Sequence, residues 1–231
     1  MKYLRKFATE AEVNIDNLPC VALVADTGRV IYKSRPENGV YIQHIDGSLY
    51  TTEDWSAKAF SNDVANGVAV VADECSFVMA KEFVGKSANW SWNYYAEING
   101  IFLSDDKEEA KTDFAGKLNT MTIIQQSTEA GAYAQAANIC VDYVFPNGAK
   151  GYLGAAGEWG VVVRYGEKVI EAMILLQNTL IQSSWINWTS TQGTSPWVWS
   201  VGWSGNINGL YFVQSTRRSN TNMIVCPFTS L

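Results

Sequence analysis

One histidine, His44, is the chain's whole supply of imidazole. A Ser-His-Asp triad or a His-based metal site cannot be assembled from a single ring. His44 falls in a strand pattern, where it is expected to face solvent or a backbone carbonyl. Charge is also scarce: 17% of residues, net −6, with no Lys/Arg cluster. That argues against the basic footprint that nucleic-acid binding requires. The longest apolar run, around Met173 to Leu176, is far too short to span a bilayer. Cys20, Cys75, Cys140 and Cys226 are scattered without metal-ligand spacing. The first residues lack the apolar segment of a secretory signal, so cytoplasmic synthesis and free thiols are expected. Gly154-Ala-Ala-Gly157 lacks the Lys and the spacing of a phosphate loop. Asp105/Asp106, Glu108/Glu109 and Asp73/Glu74 adjoin in sequence without an apolar pocket signal, and read as solvated acids. No catalytic residue, metal or cofactor is expected.

What the chain has is concentrated near its end. Gln182 to Leu231 holds five of nine tryptophans (185, 188, 197, 199 and 203) among Ser, Thr, Gly and Asn, with Arg217 and Arg218 as its only charges. Rigid aromatics mixed with small polar groups is the composition of a binding surface. Trp197, Trp199, Val201 and Trp203 alternate with Val198, Ser200, Gly202 and Ser204. This period of two predicts a strand with one apolar face and one face of small groups. Trp199 and Trp203 are expected in the core. Ser200, Gly202, Asn206, Asn208 and Leu210 to Phe212 are expected at the surface, where an uncharged Leu-Tyr-Phe run implies contact with a partner. The plainer reading puts all the tryptophans in the core and leaves the small residues as turn chemistry.

At 231 residues the chain is long enough for one large domain with an arm, and 47% apolar content is ample for a core. Residues 1–37 read as the arm: a short helix over Lys2 to Ile15, then a hairpin of Val21–Ala25 and Val30–Tyr32. Lys33 to Gly39 carries Pro, Asn and Gly, and marks the boundary. Gly39–Ile45 and Ser48–Tyr50 flank Asp46-Gly47 as a second hairpin. Ala65–Ala72 and Ser76–Ala80 read as strands. Asp113–Gln126, Glu129–Cys140, Gly154–Tyr165 and Gly166–Gln177 read as helices, with Val169, Ala172, Met173 and Leu176 inward. Strands resume after Thr179. Strands, helices, then strands predict an α+β fold.

Three passages carry a family signature: Gly39–Tyr50 with Asn66–Glu74 and Phe77–Ala80; Tyr143–Trp159, containing Gly151-Tyr-Leu-Gly-Ala-Ala-Gly-Glu-Trp159; and Trp188-Thr-Ser-Thr-Gln192, Val198-Trp199 and Val225-Cys-Pro-Phe228. Together they resemble bacterial and bacteriophage C-type-lectin-fold domains, over residues 38–231. Many of these are variable proteins of diversity-generating retroelements, like the phage major tropism determinant. The resemblance implies a C-type lectin fold. It makes Trp188, Thr189, Ser190, Thr191, Trp199, Val201, Trp203 and Val225 framework, with a variable segment over 183–224. It implies a ligand-binding set of Ile186, Asn187, Thr194, Ser195, Trp197, Ser200, Gly202, Asn208, Leu210, Tyr211 and Phe212. Cys226 stands where the family has Arg, and Gly154 where it has Pro. The calcium-dependent sugar motifs of animal C-type lectins are absent, so calcium-mediated glycan binding is not implied.

The expectation is a non-catalytic receptor-binding protein of phage-tail type, carried on a virion. Its partner would be a host-cell surface protein or glycan receptor. A homo-oligomer, with a trimer favoured, is expected; nucleic acid and membrane insertion are not. The alternatives are a bacterial cell-surface or pilus adhesin, and a structural virion protein whose Trp-rich end is a subunit interface. Weakest is an enzyme with a Cys nucleophile, for which no suitably spaced Cys pair exists.

Overall fold

The computed structural model describes residues 5–7, 20–24, 29–33, 35–85, 88–91, 97–177, 184–204, 209–216 and 223–231, with backbone alone up to residue 33. The fold is α+β. Strands β1 (Arg5–Phe7), β2 (Cys20–Val24) and β3 (Arg29–Lys33) form a three-stranded sheet in that order. The hairpin is as expected, with Cys20 opposite Lys33. The helix expected over Lys2 to Ile15 is not: Arg5–Phe7 is a strand lying parallel to β2, and most of the remainder lies outside the described residues.

Next come β4 (Gly39–His44), β5 (Leu49–Tyr50), α1 (Thr52–Ala57), β6 (Ala65–Val71) and β7 (Ser76–Met79). The β4–β5 turn works because Gly47 takes a φ of 89°, open to glycine at little cost. Strand β6 is buried along its whole length, as a central strand should be. Gly67 in it allows close approach of β7: a Cβ there would sit 2.1 Å from the Met79 carbonyl oxygen. Helices α2 (Lys107–Ala110), α3 (Gly116–Glu129) and α4 (Gln135–Asp142) follow. After them come β8 (Tyr152–Leu153), α5 (Ala156–Arg164) and α6 (Gly166–Leu175). The chain closes with β9 (Trp185–Gln192), β10 (Trp197–Trp203), β11 (Leu210–Thr216), β12 (Met223–Ile224) and β13 (Pro227–Ser230).

One sheet has the order β5-β4-β6-β7-β13-β8, so the C-terminal strand returns to the sheet that β4 began. The other has the order β11-β10-β9-β12 and lies between two apolar clusters. Trp185, Val201 and Trp203 face the first cluster, together with Met173 of α6 and Phe228 of β13. Trp188 and Val198 face the second, with Trp90, Ile123 and Cys140. Both sides of β10 are therefore core.

Strand β9 ties this core to distant loops. Its Trp-Thr-Ser-Thr-Gln stretch is essentially solvent-free, yet four of those five side chains are polar. Burial of that kind demands partners, and each residue has one. Trp188 Nε1 donates to the Ala88 carbonyl at 2.7 Å, and Thr189 Oγ1 donates to the Trp199 carbonyl at 2.8 Å. Ser190 Oγ accepts from Asn119 Nδ2 at 3.3 Å, while its N–H donates to Gly154 O at 2.9 Å. Thr191 Oγ1 donates to Asp113 Oδ2 at 2.6 Å, and the Gln192 amide exchanges two hydrogen bonds with the backbone of Ile98. The framework positions Trp188 to Thr191, Trp199, Val201, Trp203 and Val225 are all buried.

Candidate functional site

The residues read from sequence as one ligand-binding face do not share a face. Paired positions on neighbouring strands project to the same side of a sheet. In the β9–β10–β11 register, Asn187, Val201 and Phe212 align, as do Ile186, Gly202 and Tyr211. Asn187, Trp197, Leu210 and Phe212 thus belong to one side, and Ile186, Ser200, Gly202 and Tyr211 to the other. Asn208 lies outside the described residues, as does Asn206.

The expected exposure of Asn187, Ser200 and Gly202 is overturned. Asn187 and Ser200 are both 0% exposed, and Gly202 is buried. Strand β10 has a strand on each side and a core cluster on each face, so its small residues serve close packing. The Tyr211 ring lies across Gly202, where a Cβ would come within 2.4 Å of it. Asn187 Oδ1 accepts from Cys226 N–H at 3.2 Å. Among the others, Ile186, Leu210 and Phe212 are half-buried, while Tyr211 is exposed. Leu210 lines a cleft of about 420 Å³ at the joint between α5 and α6, beside Tyr165 and Lys168.

Thr194, Ser195 and Trp197 do come together, at the turn between β9 and β10. Gly193 N–H donates to Trp197 O at 3.1 Å, and Trp197 N–H donates to Thr194 O at 2.8 Å, which closes the turn. Asp105, from the loop before α2, accepts the Thr194 N–H at 2.8 Å and also the Thr194 hydroxyl. Gln214 of β11 donates to the same carboxylate at 3.3 Å. Glu97 Oε1 accepts the Ser195 N–H at 3.2 Å.

These side chains converge on a bare backbone. A Cβ at Gly193 would stand 2.8 Å from Asp105 Oδ1, 3.1 Å from Gln214 Nε2 and 3.4 Å from Trp197 Cβ. Glycine there lets the base of the Trp197 side chain, a carboxylate and an amide meet at one corner. Trp197 remains 40% exposed, as does Leu103. Beneath it Trp199 is buried, its Nε1 donating to Ser104 O at 2.7 Å.

The corner is anionic and stays so. Hydrogen bonds from the Thr194 hydroxyl, then from Thr194 N–H and the Gln214 amide, hold the Asp105 carboxyl below its usual range. Residues 97–111 carry five carboxylates against two lysines. Sequence reasoning missed Asp105, Glu97 and Gln214. It read the run as solvated acids, whereas Asp106 caps α2, its Oδ1 accepting the Glu109 N–H at 2.8 Å. A second Asp directly before a capping Asp was the available signal.

Elsewhere the chemistry is structural. His44 is not turned to open solvent or a carbonyl. It sits half-buried among Tyr50, Trp55 and Phe60, with Nδ1 2.9 Å from Asp46 Oδ1. Burial pushes the Cys75 thiol up to about 12, and those of Cys140 and Cys226 well above their usual range. All three are free. Among the described residues no His/Cys/Asp/Glu group could hold a metal, and no helix is long and apolar enough to cross a membrane.

No family model matches the chain, and no curated protein does. Among solved structures, its fold is similar to that of a fimbrial protein from Bacteroides ovatus ATCC 8483, with a TM-score of 0.60 at 14% identity. The likeness covers 91% of this chain and 52% of that one, so the chain spans about half the length of the structure it matches.

Proposed function

We propose that this is a non-catalytic attachment domain of cell-surface or pilus type, which holds its ligand at the Trp197 corner. The observation that carries the reading is Trp197, 40% exposed on a turn whose backbone donors are already satisfied, at the corner where Asp105 and Gln214 also meet. An exposed aromatic on a pre-set turn, with polar groups at the same corner, is what a recognition surface needs. The fold likeness to a fimbrial protein favours this reading over a virion-borne one. Many copies on a filament would strengthen a site that is weak singly.

The finer reading of the fold is a C-type lectin domain over residues 38–231. It is supported by the burial of the framework positions that the sequence resemblance singles out. A retroelement-diversified surface would have to act through Trp197, Thr194, Ser195 and Tyr211, since Asn187, Ser200 and Gly202 have no surface to offer.

The test is retention of the protein on whole cells, comparing wild type with Trp197→Ala and Tyr211→Ala. Loss in the first variant alone, with both still folded, supports the corner. Equal retention of all three proteins would rule it out.

A further inference from the structure

We infer that the ligand class of this corner is a neutral, hydroxyl-rich saccharide, and that sialylated and sulfated glycans are excluded. The inference rests on the attachment reading above and narrows it. At 40% exposure, Trp197 leaves roughly 100 Å² of a large, mostly apolar residue open to solvent. A pyranose presents a C–H face of similar size, with hydroxyls around its rim.

The carboxylates bonded to the same turn decide what that rim must be. Ionised carboxylates only accept hydrogen bonds. Glu97 has spent one oxygen on the Ser195 N–H, and Asp105 receives bonds from Thr194 and Gln214. A carboxylate has about four acceptor positions, so capacity remains on both, and only a donor can use it. Sugar hydroxyls donate; carboxylate and sulfate groups do not.

Charge points the same way. The surplus of acids over lysines in residues 97–111 is three, five minus two. Lys111 is itself engaged by Glu108 at 2.8 Å. An anionic ligand placed on Trp197 would sit beside two like charges, Asp105 and Glu97, well within the Debye length of about 8–10 Å.

The experiment uses the full chain on immobilised neutral oligosaccharides ending in galactose, glucose, mannose or N-acetylglucosamine. The same cores carrying sialic acid or sulfate are run beside them, and intact cells are tested before and after periodate treatment. The expected result is binding to at least one neutral core, weakened about tenfold or more by a sialyl or sulfate group. Trp197→Ala should abolish it at unchanged secondary structure. Glu97→Gln, which keeps an acceptor but drops a charge, should lessen the penalty on the anionic cores.

Preference for sialylated or sulfated cores overturns the inference. So does cell binding that survives periodate, which would leave attachment standing with a protein as its target. Absence of binding to every glycan and every cell type would sink the attachment reading itself.

Discussion

Thr191 Oγ1 donates to Asp113 Oδ2 at 2.6 Å, joining β9 to the residue that leads into α3 across 78 positions of chain. The same Oδ2 accepts Asn119 Nδ2 at 2.8 Å, and Oδ1 accepts the Ala115 N–H at 3.0 Å. Thr191 Oγ1 in turn accepts from Ala156 N–H at 2.8 Å, at the start of α5. One hydroxyl thus serves both a buried carboxylate and a helix N-terminus.

Thr191→Val should therefore cost more than a typical hydrogen bond. It keeps the shape but leaves Asp113 short of a donor and Ala156 N–H without an acceptor. The expected loss is about 2–4 kcal/mol, since each buried group left unpaired costs about 1–3 kcal/mol. Thr191→Ser should recover most of it. Urea midpoints at constant slope measure the difference, and near-equal midpoints for Val and Ser would refute the account.

Glu158 supplies a pH dependence opposite to that of most carboxylates. Burial is the main cause that pushes its carboxyl from 4.5 up to about 7, against the lowering hydrogen bonds from Ala155 N–H and Tyr152 OH. The folded state binds the proton more tightly than the unfolded one. This group's stabilising contribution is therefore complete below pH 4.5 and is lost as pH rises through about 7. The full span is about 3 kcal/mol. Glu158→Gln stays neutral at every pH. Relative to wild type it should be more stable at pH 8 than at pH 5, by up to that amount in paired denaturant titrations. Parallel pH curves for the two proteins would remove Glu158 as the cause.

Much of the architecture was readable because periodicity is a local property. The hairpin at Asp46-Gly47, the strands β6 and β7, and the inward stripe of Val169, Ala172, Met173 and Leu176 all follow from neighbours in sequence. The faces of β10 were not, because small residues look alike whether they meet water or a ring. Ser200 and Gly202 are small so that Trp188 and Tyr211 can lie across from them. The corner was half legible. The family resemblance pointed to Thr194, Ser195 and Trp197, but Asp105, Glu97 and Gln214 reach it, or one another, across 89, 98 and 109 positions. Separations of that size are set by tertiary folding, and beyond the doubled Asp105-Asp106 they leave no local pattern.

Gly202 and Gly67 make a paired test of what their missing side chains permit. At Gly67 an added Cβ meets the Met79 carbonyl oxygen, which is fixed in the β6–β7 ladder. Gly67→Ala should cost about 3 kcal/mol or more, by pushing two central strands apart. At Gly202 the obstacle is the Tyr211 ring, which is 45% exposed and free to swing outward. Gly202→Ala should cost only about 1 kcal/mol, and Tyr211→Ala in the same chain should relieve it. Thermal melts of the four proteins measure this. A Gly202 penalty untouched by the Tyr211 change would place the strain elsewhere.

Trp197 and Trp199 sit two residues apart on the same side of β10, yet their substitutions should have separable consequences. Trp199 is 5% exposed and its indole N–H is bonded to Ser104 O, so Trp199→Ala opens a cavity and orphans a carbonyl. The expected cost is about 3–5 kcal/mol. Trp197 keeps 40% of its surface in water, and its structural role at the turn is played by its backbone N–H and C=O, which alanine retains. Trp197→Ala should cost about 1–2 kcal/mol, within the range of ordinary substitutions, while ligand retention falls to background. Trp199→Phe, which preserves bulk without the N–H, should keep retention near wild type once corrected for the folded fraction. Melting and retention must therefore be read on the same three variants. If retention simply tracks melting across them, Trp197 is a piece of framework and the corner is not a recognition site.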